Sequence, residues 1–122
     1  MRQQGLPVTA MLLTLCAQFA SAGEADVVNA IATRQADGWQ FRVTLKHDDA
    51  GWDHYANKWE VLSPDGKVLG TRVLLHPHVD EQPFTRGLSG VQVPAGTREV
   101  IIRAYDSVHA DGGKEFRLKL VE

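Results

Sequence analysis

The run Trp39-Gln40-Phe41-Arg42-Val43-Thr44-Leu45-Lys46 constrains the fold of this chain more than any other segment. Apolar and polar residues alternate strictly through it, so an extended backbone places Trp39, Phe41, Val43 and Leu45 on one face and leaves the polar residues on the other. Wound into a helix, the same residues would scatter around the cylinder and bury nothing coherent. Comparable runs recur with turn residues between them. Val27 to Gln35 closes at Asp37-Gly38, although its alanines also suit a helix. Tyr55 to Leu62 and Val68 to Leu75 flank Pro64-Asp65-Gly66, where proline fixes φ and glycine accepts positive φ. Phe84 to Val93, broken by Gly87 and Gly90, ends at Pro94-Ala95-Gly96. Val100 to Tyr105 and Phe116 to Leu120 then enclose the loop Ser107 to Lys114. The pattern predicts an all-β chain, an immunoglobulin/fibronectin-like antiparallel β-sandwich of about seven strands. Its inward residues are expected to be Trp39, Phe41, Val43, Leu45, Trp59, Val61, Val100, Ile102, Ala104, Phe116, Leu118 and Leu120.

The segment before the first strand has a different character. Met1 and Arg2 precede an apolar run from Leu6 to Phe19, which ends in the small-x-small pattern Ala20-Ser21-Ala22. Such a segment reads as a secretory signal peptide over residues 1–22, cleaved after Ala22 to leave a single β-sandwich domain over 23–122. The apolar run falls short of the roughly 20 residues needed to span a bilayer, so no membrane insertion is expected after cleavage. A lipoprotein reading would acylate Cys16, but Leu15 stands before it where a small residue is wanted. The expected location is periplasmic or secreted. The single cysteine lies inside the leader, so a disulfide and thiol chemistry are both excluded from the mature domain. Setting Arg2 aside leaves 12 Lys and Arg against 15 Asp and Glu. That acidic balance provides no footprint for nucleic acid or for an anionic membrane.

All five histidines, His47, His54, His76, His78 and His109, fall in or beside predicted loops. If consecutive strands run antiparallel, the loops after Lys46, after Leu75 and after Tyr105 share one end of the sandwich. The histidines therefore gather there, with Asp48, Asp49, Asp53, Asp80, Glu81 and Asp111. Neutral imidazoles supplemented by a carboxylate suit copper or zinc. In His76-Pro77-His78 the two imidazoles stand two residues apart on a segment that proline keeps extended, so they project to the same side. The expected ligands are His76, His78 and His109, with His54 and Glu81 completing the shell. The mature chain lacks methionine, which favours Cu(II) or Zn(II) over a methionine-based Cu(I) site.

Trp52 and Tyr55, in the same loop as His54, are candidates for a partner-binding patch, because aromatic residues anchor interfaces. The alternative to a metal protein is accordingly a non-catalytic accessory module that presents these residues to a periplasmic protein partner. Nothing predicts an enzyme: Ser63 and Ser107 have no spacing that pairs a nucleophile with an oriented base. Gly70, His76-x-His78 and Glu81 resemble the first metal motif of the cupins, and Pro94-Ala95-Gly96 resembles part of their second. Glu81 comes one residue too early, however, and Glu99 stands where that family has a histidine. The blocks Trp52-Asp53-His54-Tyr55, His76 to Arg86 (H-P-H-V-D-E-Q-P-F-T-R) and Ala104 to His109 together resemble a group of small uncharacterised exported bacterial proteins. That resemblance covers most of the expected mature chain and implies a soluble sandwich domain, with no established activity attached.

Overall fold

A computed structural model describes residues 23–121. The expected signal peptide, Cys16 included, lies outside the described residues. Seven strands form two antiparallel sheets: β1 (Asp26–Gln35), β2 (Gly38–Lys46), β3 (Ala56–Leu62), β4 (Val68–Val73), β5 (Phe84–Val91), β6 (Glu99–Asp106) and β7 (Phe116–Lys119). One sheet has the order β1-β2-β5 and the other β4-β3-β6-β7, which is the sandwich expected from the alternating pattern. No helix among the described residues is long and apolar enough to cross a membrane. The segment whose alanines suited a helix is strand β1. It pairs with β2 from Asp26↔Lys46 to Gln35↔Gly38, because the tight turn between them places a ready ladder of donors and acceptors alongside.

The core lies between the sheets. Nine of the residues expected to point inward, Trp39 to Leu45 on β2, Trp59 and Val61 on β3, and Val100, Ile102 and Ala104 on β6, are buried. Phe116, Leu118 and Leu120 are only partly buried against it, since β7 is an edge strand with a neighbour on one side. Phe84, Val91, Val27 and Leu74 complete the interior. Burying a large apolar side chain contributes about 1.5–3 kcal/mol, so residues such as Trp59, Phe41, Phe84 and Leu45 carry most of the drive to fold.

The connections determine where chemistry can be placed. The 36–37, 63–67 and 107–115 segments join neighbours within a sheet, whereas 47–55, 74–83 and 92–98 pass from one sheet to the other. Leu45↔Phe84 and Ala56↔Asp106 are the terminal pairs of their ladders. The loops at 47–55, 74–83 and 107–115 therefore emerge together at one end, and the chain also enters β1 there, beside Lys46.

Candidate metal centre

On β6 the inward positions are Val100, Ile102, Ala104 and then Asp106, so the last core-facing position of the strand carries a carboxylate. On β2 the inward series Trp39, Phe41, Val43, Leu45 continues one step beyond the strand to His47, and one more to Asp49; both are buried. The polar centre is thus the top layer of the core, where two facing sheets switch from apolar side chains to ionisable ones.

Asp49 organises this layer. Its side chain is fully buried and accepts hydrogen bonds from His47 Nδ1, from the Ala56 N–H at 3.0 Å and from the His78 N–H at 2.6 Å. In the neutral ring, a carboxylate that accepts from Nδ1 selects the His47 tautomer whose Nε2 lone pair faces away from Asp49. The His47 N–H donates to Gln82 Oε1 at 3.0 Å, and Gln82 Nε2 donates to the His78 carbonyl at 3.0 Å, so the two sheet-crossing loops are clasped together.

Asp106 closes the other side. Its Oδ1 accepts the N–H groups of Val108 (2.8 Å) and His109 (2.5 Å), a turn that brings the His109 ring back over the carboxylate. Burial alone would raise the Asp106 carboxyl. The His109 and Val108 N–H groups and the nearby His109 imidazole outweigh it and hold the group below the ordinary carboxylate value. His47 Nε2 lies 3.5 Å and His109 Nδ1 3.2 Å from Asp106 Oδ2, and His54 Nε2 lies 3.6 Å from Oδ1. Ser107 and Tyr55 fasten the two contributing loops: Ser107 N–H donates to the Tyr55 carbonyl at 2.9 Å, and Tyr55 N–H to Ser107 Oγ at 3.1 Å. The ligand atoms of His47, His54 and Asp106 all fall within 4.8 Å of one another. The His109 ring sits 5.0 Å from that of His54. Three imidazoles and a carboxylate from both sheets thereby face one small volume. This is the donor chemistry of a zinc or copper site.

The five ligands expected from the sequence divide between two places. His54 and His109 belong to the centre just described. His76, His78 and Glu81 lie beside Arg86. The His78 ring is buried and stacks on Phe84 at 3.9 Å, and its Nε2 lies 2.8 Å from Arg86 Nη2. A guanidinium has only donors, so the Nε2 lone pair is already engaged by a cation. Burial first, and the Arg86 charge second, hold the His78 imidazole below its ordinary value. His76 is exposed, with its ring 4.8 Å from that of His78, and Glu81 reaches Arg86 Nη1 at 3.3 Å. The sequence places His47 and Asp49 at this end without assigning them to the site, and it passes over Asp106, although the two-residue period that identified the core points to all three. Trp52 and Tyr55 meet edge to face at 5.5 Å on the rim of the centre, and Trp52 is 67% exposed.

The fold and the centre define a class: a β-sandwich with a histidine and aspartate cluster at the end where its sheet-crossing loops meet. No family model matches the chain, and no solved structure matches it. Among curated proteins, it is similar to a putative lipoprotein of Halomicrobium mukohataei, with 44% identity over 93 residues, covering 75% of this chain. The match covers 45% of the relative, so the chain spans a little under half of that protein's length.

Proposed function

We propose that this protein is an exported metal-binding domain that holds Cu(II) or Zn(II) through His47 Nε2, His54 Nε2, His109 Nδ1 and the Asp106 carboxylate. The observation that carries the reading is the Asp49–His47 pair. A buried carboxylate that accepts a hydrogen bond from Nδ1–H leaves Nε2 available as a ligand, which is the arrangement that orients metal-bound histidines. In the neutral His47 ring with its proton on Nδ1, the Nε2 lone pair stands 3.5 Å from the Asp106 carboxylate, a contact between two acceptors. A divalent ion between them relieves that contact and neutralises a carboxylate buried with its charge. The chain's likeness to a putative lipoprotein, together with the leader pattern over residues 1–22, supports export to the periplasm or cell surface.

The test uses protein purified without a histidine tag, analysed for metal and then titrated with Zn(II) and Cu(II). One equivalent should bind. At an ion concentration of about 1,000 Kd the folded state should gain about 4 kcal/mol, read as a rise in Tm. His54→Ala and Asp106→Asn should each weaken binding. If neither ion binds stoichiometrically nor raises Tm, the reading is lost.

The second reading, an accessory module that docks a partner protein, draws on one feature, the exposed Trp52 braced by Tyr55. It calls for Trp52→Ala to abolish capture of a defined partner while metal binding stays intact.

A further inference from the structure

The proposed centre has a visitor that its side chains do not explain. The Gly23 carbonyl oxygen lies 2.8 Å from His47 Nε2, 2.8 Å from His54 Nε2 and 2.9 Å from His109 Nδ1. A carbonyl oxygen has two lone pairs and here meets three ring nitrogens, more than two lone pairs can each serve with a hydrogen bond of their own. Donor atoms that share a metal ion behave differently: with bonds of about 2.0–2.1 Å, ligands 90° apart sit about 2.9 Å from each other. The Gly23 contacts have that length.

We propose that Gly23 is itself a ligand, its carbonyl oxygen joining His47 Nε2, His54 Nε2, His109 Nδ1 and Asp106 to give three nitrogen and two oxygen donors. The inference rests on the metal reading above and extends it to the backbone. Two further features show that the position of this carbonyl is built into the fold. A Cβ on residue 23 would lie 2.0 Å from His109 Cε1, so any other residue here has to displace the His109 ring from its place beside the carbonyl. The segment after it is also fastened. Val27 N–H donates to the Lys114 carbonyl at 2.8 Å, Lys114 N–H donates to Asp26 Oδ1 at 2.7 Å, and Ala25 is buried against Gly113. The ion then clasps the start of the domain to the loops of both sheets, next to the expected cleavage point after Ala22.

The experiment compares protein beginning at Gly23 with a form that begins at Ala25, each titrated with Cu(II) against a competing chelator. Removing Gly23 and Glu24 should weaken binding at least tenfold while leaving hyperfine coupling from three imidazole nitrogens. Equal affinity and unchanged spectra in the two forms overturn the proposal and leave the four-side-chain centre standing. Absence of binding in both removes the metal reading as well. A second measurement does not depend on the truncated form folding. In protein beginning at Gly23 and labelled with [1-13C]glycine, electron–nuclear double resonance at bound Cu(II) should detect a strongly coupled 13C. Its absence, with three coupled nitrogens present, shows that the ion has displaced the carbonyl and refutes the proposal.

Discussion

Asp49→Ala should be among the most damaging single changes in the loops of this protein. The side chain is fully buried and accepts from two backbone N–H groups, those of Ala56 and His78, and from the His47 ring. Alanine leaves three donors without an acceptor in a place water does not reach readily. A buried group left unpaired costs about 1–3 kcal/mol, so three of them near the lower end of that range, after partial relaxation, cost about 3–5 kcal/mol. Domains of this size are stable by about 5–15 kcal/mol, and each kcal/mol moves Tm by about 4–8 °C. The apo protein should therefore lose about 3–5 kcal/mol in urea denaturation followed by fluorescence of the buried Trp59 and Trp39, and Tm should drop by at least 12 °C or so on the same scaling. Asp49→Asn cannot restore the site. One amide oxygen can replace Oδ1, which serves Ala56 and His47, or Oδ2, which serves His78, and the amide NH2 then confronts a backbone N–H at the other place. Metal affinity should also fall about 10- to 100-fold in the asparagine variant, the usual effect of losing the group that orients a ligating histidine. An alanine variant within 0.5 kcal/mol of wild type would refute the claim that Asp49 organises the loop layer.

Three other outcomes follow from the same geometry. Because burial and Arg86 depress the His78 imidazole, the unfolded chain binds its proton more readily than the fold does. The His78 contribution is complete above the ordinary histidine value of 6.5 and is lost as pH falls through the lower folded value. NMR titration should find the His78 ring changing charge below 6.5, and a folded-state value at or above it refutes the assignment. Gly113→Ala would place a Cβ 1.8 Å from the Ala25 carbonyl oxygen, a backbone clash that no rotamer relieves; it should destabilise by about 1–3 kcal/mol and weaken metal binding by moving Gly23, and a neutral effect in both assays contradicts it. With imidazole and oxygen donors and no sulfur, the centre should bind Cu(II) more tightly than Zn(II) in chelator competition, and Cu(I) more weakly than Cu(II) by direct potentiometry of the bound ion.

The alternation along β2 and β6 made the sandwich legible, because burial on one face of a strand imposes a period that no helix shares. Strand parity likewise put the histidine loops at one end, since parity depends only on the number of turns. The candidate cluster was harder to see. His76-Pro77-His78 attracts attention as a motif, yet a short motif does not reveal that Arg86, eight residues beyond His78, reaches His78 Nε2. His47 and Asp106 resemble loop punctuation when strands are taken to end with their last apolar residue. Extending the count by one inward step turns each into a core-facing position, where an ionisable group is rare enough to demand a partner. Gly23 was out of reach for a different reason: its backbone, not a side chain, meets the cluster, and a contact between residues 23 and 109 is set by how the N-terminal segment crosses Gly113.

The arrangement also bears on how the sandwich is held together. The sequence contains one cysteine, so no disulfide can close within this chain. The candidate donors lie at positions 23, 47, 54, 106 and 109, and an ion held among them ties the β1 entry, the β2–β3 crossing and the β6–β7 loop into one knot. Cross-links between residues far apart in sequence exclude the most unfolded conformations, by an amount that grows slowly with loop length. The span from 23 to 109 encloses most of the domain. A disulfide there would act on the unfolded chain permanently, whereas an ion with little affinity for the unfolded chain acts only to the extent that it is bound, through mass action. If the centre holds an ion as proposed, stability and metal supply are linked in both directions: loss of the ion removes one tie on the N-terminal segment, and any change that frees that segment lowers the affinity for the ion.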